Sequence, residues 1–209
     1  MNIVEQSHEI ITDISEGGVK ELELIERCGR IAYQSHKKNP NHDFVITKKF
    51  VRGLIKLGHE SVLEHGSMTV IFVTDRAVAN ELVRHRIASY TQESTRYCDY
   101  DKMGLTFIRP VDVPRETMRT SRWYAECGQD EWTYNAMRVE GKKPEEARAI
   151  LPLCLKTEIA VTTNWREWRH ILRLRTERHA HPQMRALMLP LLEELKARIP
   201  VLFDDIKEE

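Results

Sequence analysis

The run Ser67-Met68-Thr69-Val70-Ile71-Phe72-Val73-Thr74 constrains the fold more than any other part of the chain. Met68, Val70 and Phe72 alternate with Thr69, Ile71 and Val73, so both faces of the segment are mostly apolar. Alternation at period two predicts a strand, and apolar groups on both faces predict one buried on two sides.

The rest of the chain mixes helical and extended patterns. Asn2 to Ile14 alternates briefly and suits an edge strand, and Gly17-Gly18 marks a turn. From Val19 to Tyr33, Leu22, Ile25, Cys28 or Gly29, and Ala32 recur at helical spacing. Ser35 to His42 is a polar loop. Thr47 to Leu57 forms a second helical pattern, with Phe50, Leu54 and Leu57 inward and Gly58 as its stop. Tyr97 to Tyr100 and Leu105 to Ile108 suit further strands before Pro110 and Pro114. Arg115 to Val139 predicts a long amphipathic helix, Pro144 opens a short one, and Lys156 to Thr163 has β-branched strand content. Pro182 ends one helix and opens the next, whose apolar stripe runs from Met184 to Ile199 and stops at Pro200. No repeat or linker divides the chain, so residues 1–209 are expected to form a single domain.

Charge narrows the function. Lys plus Arg and Asp plus Glu both total 32, giving a formal net charge of zero. A nucleic-acid coat or membrane-surface protein is normally more basic, so anion binding must come from local clusters. The start Met1-Asn2-Ile3-Val4-Glu5-Gln6 lacks a signal peptide's basic and apolar regions, and no apolar run approaches about 18 residues. A cytoplasmic protein with no membrane partner is expected. Cys28, Cys98, Cys127 and Cys154 are widely spaced, which predicts reduced thiols rather than zinc or a disulfide framework.

Two basic clusters supply the anion sites. Asp75 can cap a helix carrying Val78 and Leu82, and Arg84-His85-Arg86 stand at its end. Consecutive side chains are about 100° apart on a helix, so one face cannot hold all three. The macrodipole would favour each by only about 0.3–1 kcal/mol. Beyond them Ser94, Thr95 and Arg96 set two hydroxyls beside a guanidinium, the groups that phosphate oxygens need.

The second cluster spans Asn164 to Arg185. It holds Arg166, Arg169, Arg173, Arg175, Arg178, Arg185, His170, His179 and His181, with only Glu167 and Glu177 as acids. Arginine without lysine suits fork-shaped recognition of planar or phosphate groups. Trp165, Trp168 and Leu172 define a core-facing stripe that Arg175 and His179 continue. A base on such a stripe needs either a buried carboxylate or a ligand. The segment His59-Glu60-Ser61-Val62-Leu63-Glu64-His65 offers two histidines and two carboxylates. Its histidines lack the i, i+4 spacing of a zinc helix, so a capped turn is the plainer reading and no metal is expected.

Arg84-His85-Arg86 followed at a fixed offset by Ser94, with Arg96-Tyr97 continuing, resembles the signature of the flavin-dependent thymidylate synthases. The likeness extends to His59-Glu60-Ser61 with Glu64-His65, and to Asn164, Arg166, His170, Leu174-Arg175 and His179-Ala180. Residues 100–145 match weakly. Glu81 stands where glutamine is common, Gln92-Glu93 where an acid often comes first, and His170 where some members carry asparagine.

The resemblance implies an α+β fold, a mixed sheet packed against helices, in a homotetramer with active sites shared between subunits. It implies reductive methylation of dUMP to dTMP, with methylenetetrahydrofolate as carbon donor and FAD reduced by NADPH as hydride donor. No protein nucleophile is involved. Arg175 would polarise the uracil ring. Glu81, Arg84, Gln92, Glu93, Ser94, Thr95, Arg96 and Arg148 would complete the dUMP site. FAD would meet His59, Ser61, Arg84, His85, Arg86, Gln92, Asn164, Arg166, His170 and His179. His85, between two guanidiniums, is expected to be neutral through like-charge repulsion. Two rivals remain: a single-stranded nucleic-acid binder that stacks bases on Trp165 and Trp168, and a structural helical protein whose arginines only bridge acids.

Overall fold

The computed structural model describes residues 1–207. Two short strands come first, β1 (Asn2–Val4) and β2 (Ser7–Ile10), then helices α1 (Val19–Ile31) and α2 (Phe44–Lys56). A 3-10 turn at Glu60–His65 leads into β3 (Ser67–Asp75), α3 (Arg76–Leu82) and β4 (Ser89–Gln92). The short helix α4 (Tyr100–Met103), β5 (Thr106–Ile108), α5 (Arg122–Val139) and α6 (Pro144–Ala147) follow. The chain continues through β6 (Lys156–Asn164), α7 (Trp165–Thr176), α8 (Pro182–Arg198) and α9 (Pro200–Phe203). The result is an α+β architecture.

Strand β3 forms where the apolar run requires it, with Met68, Val70, Phe72 and Thr74 buried. It lies inside a four-stranded sheet of order β2-β3-β6-β4, so β2 takes the edge position expected of the N-terminal segment. A second sheet is the parallel pair β1-β5, in which Ile3 faces Phe107.

The chain divides into two compact units. The first comprises Met1–Glu9, Ile71–Arg84 and Tyr90–Ala160. Its core gathers Tyr100, Leu105, Phe107, Cys127, Tyr134 and Leu155, with Ile3 and Trp123 packed against them. Helix α5 is shorter than its pattern predicted: it begins at Arg122, where the Ser121 hydroxyl accepts the Tyr124 N–H, because residues before it form a 3-10 turn. Tyr97 to Tyr100, expected as a strand, is turn and loop that leads into the helical turn Tyr100–Met103. Trp132 is exposed, whereas Tyr134 is buried.

The second unit comprises Ile10–Val70, His85–Ser89 and Val161–Glu209. Helices α1 and α2 pack together, as do α7 and α8. Asp43 caps α2 through the N–H groups of Val45 and Ile46, so that helix starts before Thr47. Gly58 follows it with φ 72°, the left-handed stop that glycine tolerates, and Leu57 is exposed rather than inward. Trp165, Trp168 and Leu172 are buried as their spacing demands, and the Trp168 indole donates to the Met68 carbonyl at 2.9 Å. Gly66 lies against the Trp165 ring so closely that a Cβ would collide with it.

An arginine–carboxylate bridge of the kind anticipated on α7 exists at Arg169. Arg169 has a fully buried side chain and forks onto Asp205 at 2.7 and 2.6 Å. It also donates to the Leu202 carbonyl.

Candidate active site

The sequence places Arg84-His85-Arg86 at the end of a helix; the structure places it just beyond one. Helix α3 begins at the Asp75 cap, where the carboxylate accepts the Val78 N–H at 2.7 Å, and ends at Leu82. The three bases therefore lie in non-helical chain, free of the wheel constraint. Arg84 and Arg86 are exposed, while His85 is turned inward with 6% of its surface accessible. Thr163 donates to the Ile87 carbonyl and pins the segment that follows.

In the second unit His85 meets the polar face of α7. The Arg175 Nε–H donates to His85 Nε2 at 3.1 Å. On the other side of the ring, Nδ1 lies 3.3 Å from Glu167 Oε1. The His170 ring packs edge-on, 5.7 Å between centroids. Burial, then the charges of Arg175 and His170, push His85 down to about 4. The neutrality expected from the sequence stands, but its cause is different: burial leads, and the flanking arginines are not the source. Glu167 moves the opposite way, its carboxyl pushed up by burial against the pull of His170 and Arg166.

A cavity of about 360 Å³ adjoins this cluster, lined by Asn164, Arg166, Glu167, His170, Arg173, Ile87, Glu60 and Glu64. Asn164 caps α7, its Oδ1 accepting the Glu167 N–H at 2.9 Å. Arg166 pairs with Glu64 at 2.6 Å on an exposed surface. Such a pair is worth only about 0–1 kcal/mol, so an incoming phosphate can displace the carboxylate. His179 lies past the end of α7 and is exposed, so it does not continue the Arg175 face. Ser61 is exposed on the 3-10 turn. His59 borders a different, largely apolar cavity of about 580 Å³ with Tyr33, Phe50 and Leu57.

His85, Glu167 and His170 offer ligand atoms within 4.8 Å of one another, a grouping with metal-site dimensions. The neighbours oppose that use. One His85 nitrogen accepts from a guanidinium and the other faces Glu167, so a dication would sit beside the fixed charge of Arg175. The cluster is better described as an imidazole held between a guanidinium and a carboxylate.

The first unit holds the other predicted group. Ser94 shapes a turn: its hydroxyl accepts the Arg96 N–H at 3.2 Å, and its carbonyl accepts those of Tyr97 and Cys98. Arg148 Nη1 reaches Thr95 Oγ1 at 3.4 Å, and Arg96 Nε donates to Glu145 Oε2 at 2.9 Å. Arg96 and Glu145 are both well exposed, so this pair too is easily exchanged for a stronger anion. Glu145 thus occupies the position beside Arg96 that an anion would take.

Gln92 and Glu93 play a scaffolding part within the same unit. Gln92 donates to Thr157 Oγ1 at 3.2 Å. Glu93 accepts from the Tyr100 hydroxyl at 2.6 Å and from Lys156 Nζ at 3.0 Å. That contact and burial push the Tyr100 phenol up, burial being the larger cause. Glu81 lies half-buried on α3, where its carbonyl accepts the Arg84 N–H at 3.3 Å.

Residues 19–201 match a sequence family described as thymidylate synthase complementing protein. A flavin-dependent thymidylate synthase of Mycolicibacterium vanbaalenii is 32% identical over 199 residues, covering 88% of this chain and 79% of that protein. The Corynebacterium efficiens enzyme of the same name is 32% identical over 202 residues, covering 89% and 80%. In three dimensions the chain is similar to a UMP/dUMP methylase from Streptomyces cacaoi crystallised with 5-Br dUMP. That likeness has a TM-score of 0.79 at 22% identity and covers 98% of this chain and 96% of that one. The fold, the spacing of the arginine clusters and the extent of these matches together show that the chain belongs to the thymidylate synthase complementing protein family, whose relatives here are flavin-dependent thymidylate synthases.

Proposed function

We propose that this chain methylates dUMP reductively to dTMP, with methylenetetrahydrofolate as the carbon donor and NADPH-reduced FAD as the reductant. One observation carries the reading: the Arg175 guanidinium donates through Nε to the buried His85 imidazole at 3.1 Å, which fixes the plane it can present to a ligand. An imidazole acceptor orients the planar guanidinium, whose positive charge is permanent.

That charge suits the chemistry. The uracil ring becomes nucleophilic at C5 as negative charge gathers on its carbonyls and ring nitrogen. A preorganised guanidinium favours that distribution. Arg96, Arg148, Thr95 and Ser94 would hold the dUMP phosphate. Cys98 packs at the margin of the first unit's core, a setting for a structural side chain rather than a nucleophile.

The residues present suit FAD. The donor set along the second unit's cavity combines the guanidiniums of Arg166 and Arg173, suited to phosphates, with the His170 imidazole and the Asn164 amide, suited to a flavin edge. When bound and reduced, FAD supplies the hydride. A cavity of about 360 Å³ lies at the small end of ligand sites, which supports an assembly in which a neighbouring subunit covers the rest of an extended dinucleotide. A homotetramer with shared sites, as the resemblance implies, meets that need. We read residues 1–209 as one domain, since no repeat or linker divides the sequence. Among the described residues no helix is long and apolar enough to cross a membrane. A cytoplasmic location fits four unpaired cysteines.

The test is the absorbance spectrum of purified protein after FAD addition, followed by dUMP-dependent NADPH oxidation with methylenetetrahydrofolate present. Bound yellow flavin and dTMP formation are expected. Protein that stays colourless and inactive would sink the reading.

A further inference from the structure

Glu167 has no role so far. Its place in the first turn of α7 makes it look like an ordinary acid complementing the helix dipole, but such an acid gains its modest benefit while solvated. This one is buried, with 9% of its surface accessible. A buried carboxylate is costly without a partner, and its partner is His85 Nδ1 at 3.3 Å.

The donor and acceptor types then fix the proton. Arginine carries only donors, so His85 Nε2, 3.1 Å from Arg175 Nε, must present its lone pair. A neutral imidazole accepting there carries its proton on Nδ1, where Glu167 can accept it. The opposite tautomer would set N–H against N–H at Arg175 and a lone pair against a carboxylate oxygen at Glu167. Both contacts would be repulsive.

The helix supplies the spacing. Glu167, Ile171 and Arg175 follow i, i+4, i+8 along one face of α7, a rise of about 12 Å from first to last. The imidazole of His85 enters from outside the helix and spans between the two polar ends. Asn164 secures the Glu167 backbone, and Thr163 anchors the chain next to His85. Glu167, His170 and Arg175 all approach the ring from α7.

We propose that Glu167 is a positioning residue that selects the Nδ1-protonated tautomer of His85 and thereby fixes the plane of the Arg175 guanidinium. The proposal rests on the assignment of Arg175 to the uracil ring. Glu167 lines the cavity, but its effect on the uracil ring is indirect. It acts through His85, as the buried acid of a catalytic triad acts through its histidine.

The experiment combines ¹⁵N-histidine NMR of the full chain, with and without FAD, with steady-state kinetics of E167A and E167Q. In the wild type at neutral pH, His85 is expected as one neutral species protonated at Nδ1. In E167A that signal shifts toward the Nε2-protonated form. Its kcat falls about tenfold or more, while the thermal midpoint stays near wild type. E167Q keeps a carbonyl acceptor and recovers most of the loss.

A proton on Nε2 in the wild type overturns the proposal and needs no variant to fold. So does an E167A whose tautomer changes with kcat within twofold, or whose kcat falls with the tautomer unchanged. Failure of the functional reading looks different: the wild type binds no flavin and shows no dUMP-dependent oxidation, while the His85 tautomer is still as stated.

Discussion

Arg175 donates its Nε–H to the lone pair of His85 Nε2 at 3.1 Å, joining two residues ninety positions apart in the chain. The pair holds a full positive charge beside a ring that stays neutral. From it comes the first expectation. Arg175→Lys keeps the charge but loses the planar fork and the Nε–H, so kcat should fall about 10²–10³-fold. Differential scanning fluorimetry should find a midpoint near that of the wild type. A variant that loses stability but retains turnover would support the purely structural rival.

Acid should act through His85. Its folded-state pKa of about 4 lies below the unfolded value of 6.5, so the unfolded chain takes up a proton first as pH falls. The contribution is complete above pH 6.5 and is lost progressively down to about pH 4. The loss is on the order of 3 kcal/mol. Urea unfolding of wild type and His85→Gln across that range should show the difference shrinking as pH falls. Parallel pH curves for the two proteins would contradict it.

Phosphate recognition can be separated from ring chemistry. Arg96→Ala and Arg148→Ala each remove a charge-assisted contact worth about 1.5–3 kcal/mol, so KM for dUMP should rise about ten- to hundredfold. Deoxyuridine, which has no phosphate, should be bound equally by wild type and variants. Equal losses with both ligands would place these arginines elsewhere.

Asp205 tests the structural arginine. Burial alone would raise its carboxyl, but the hydrogen bonds and charges of Arg169 and Arg173 outweigh that and hold it low. Its stabilising effect is therefore present above the unfolded carboxylate pKa and is lost as pH falls through the lower folded value. Asp205→Ala leaves the buried guanidinium with only the more distant Glu60 carboxylate, at 3.8 Å, for about 3 kcal/mol, the low end for a partner that is itself half-exposed. Chemical denaturation at neutral pH measures it; a change under about 0.5 kcal/mol would show that Glu60 and the Leu202 carbonyl satisfy Arg169.

Local pattern carried much of the architecture. The apolar run at β3, the Asp75 cap, the stripe of Trp165, Trp168 and Leu172, and the prolines bounding α8 each appear in the fold where their chemistry puts them. Local pattern misled where a helix ended: α3 stops at Leu82, before the basic triplet, and α7 stops at Thr176, before His179. Helix ends depend on which groups satisfy the last carbonyls, and those groups come from elsewhere in the chain.

By itself the sequence determined the helical and extended segments, the two arginine clusters and the family, because periodicity and motif spacing are properties of neighbours along the chain. Only the tertiary structure decided which bases became structural and which could face a ligand. Arg169 and Arg175 share a helix and a composition, yet one meets Asp205 and the other meets His85. A guanidinium's role depends on the acceptor packed against it, and these acceptors are supplied by chain segments remote in sequence.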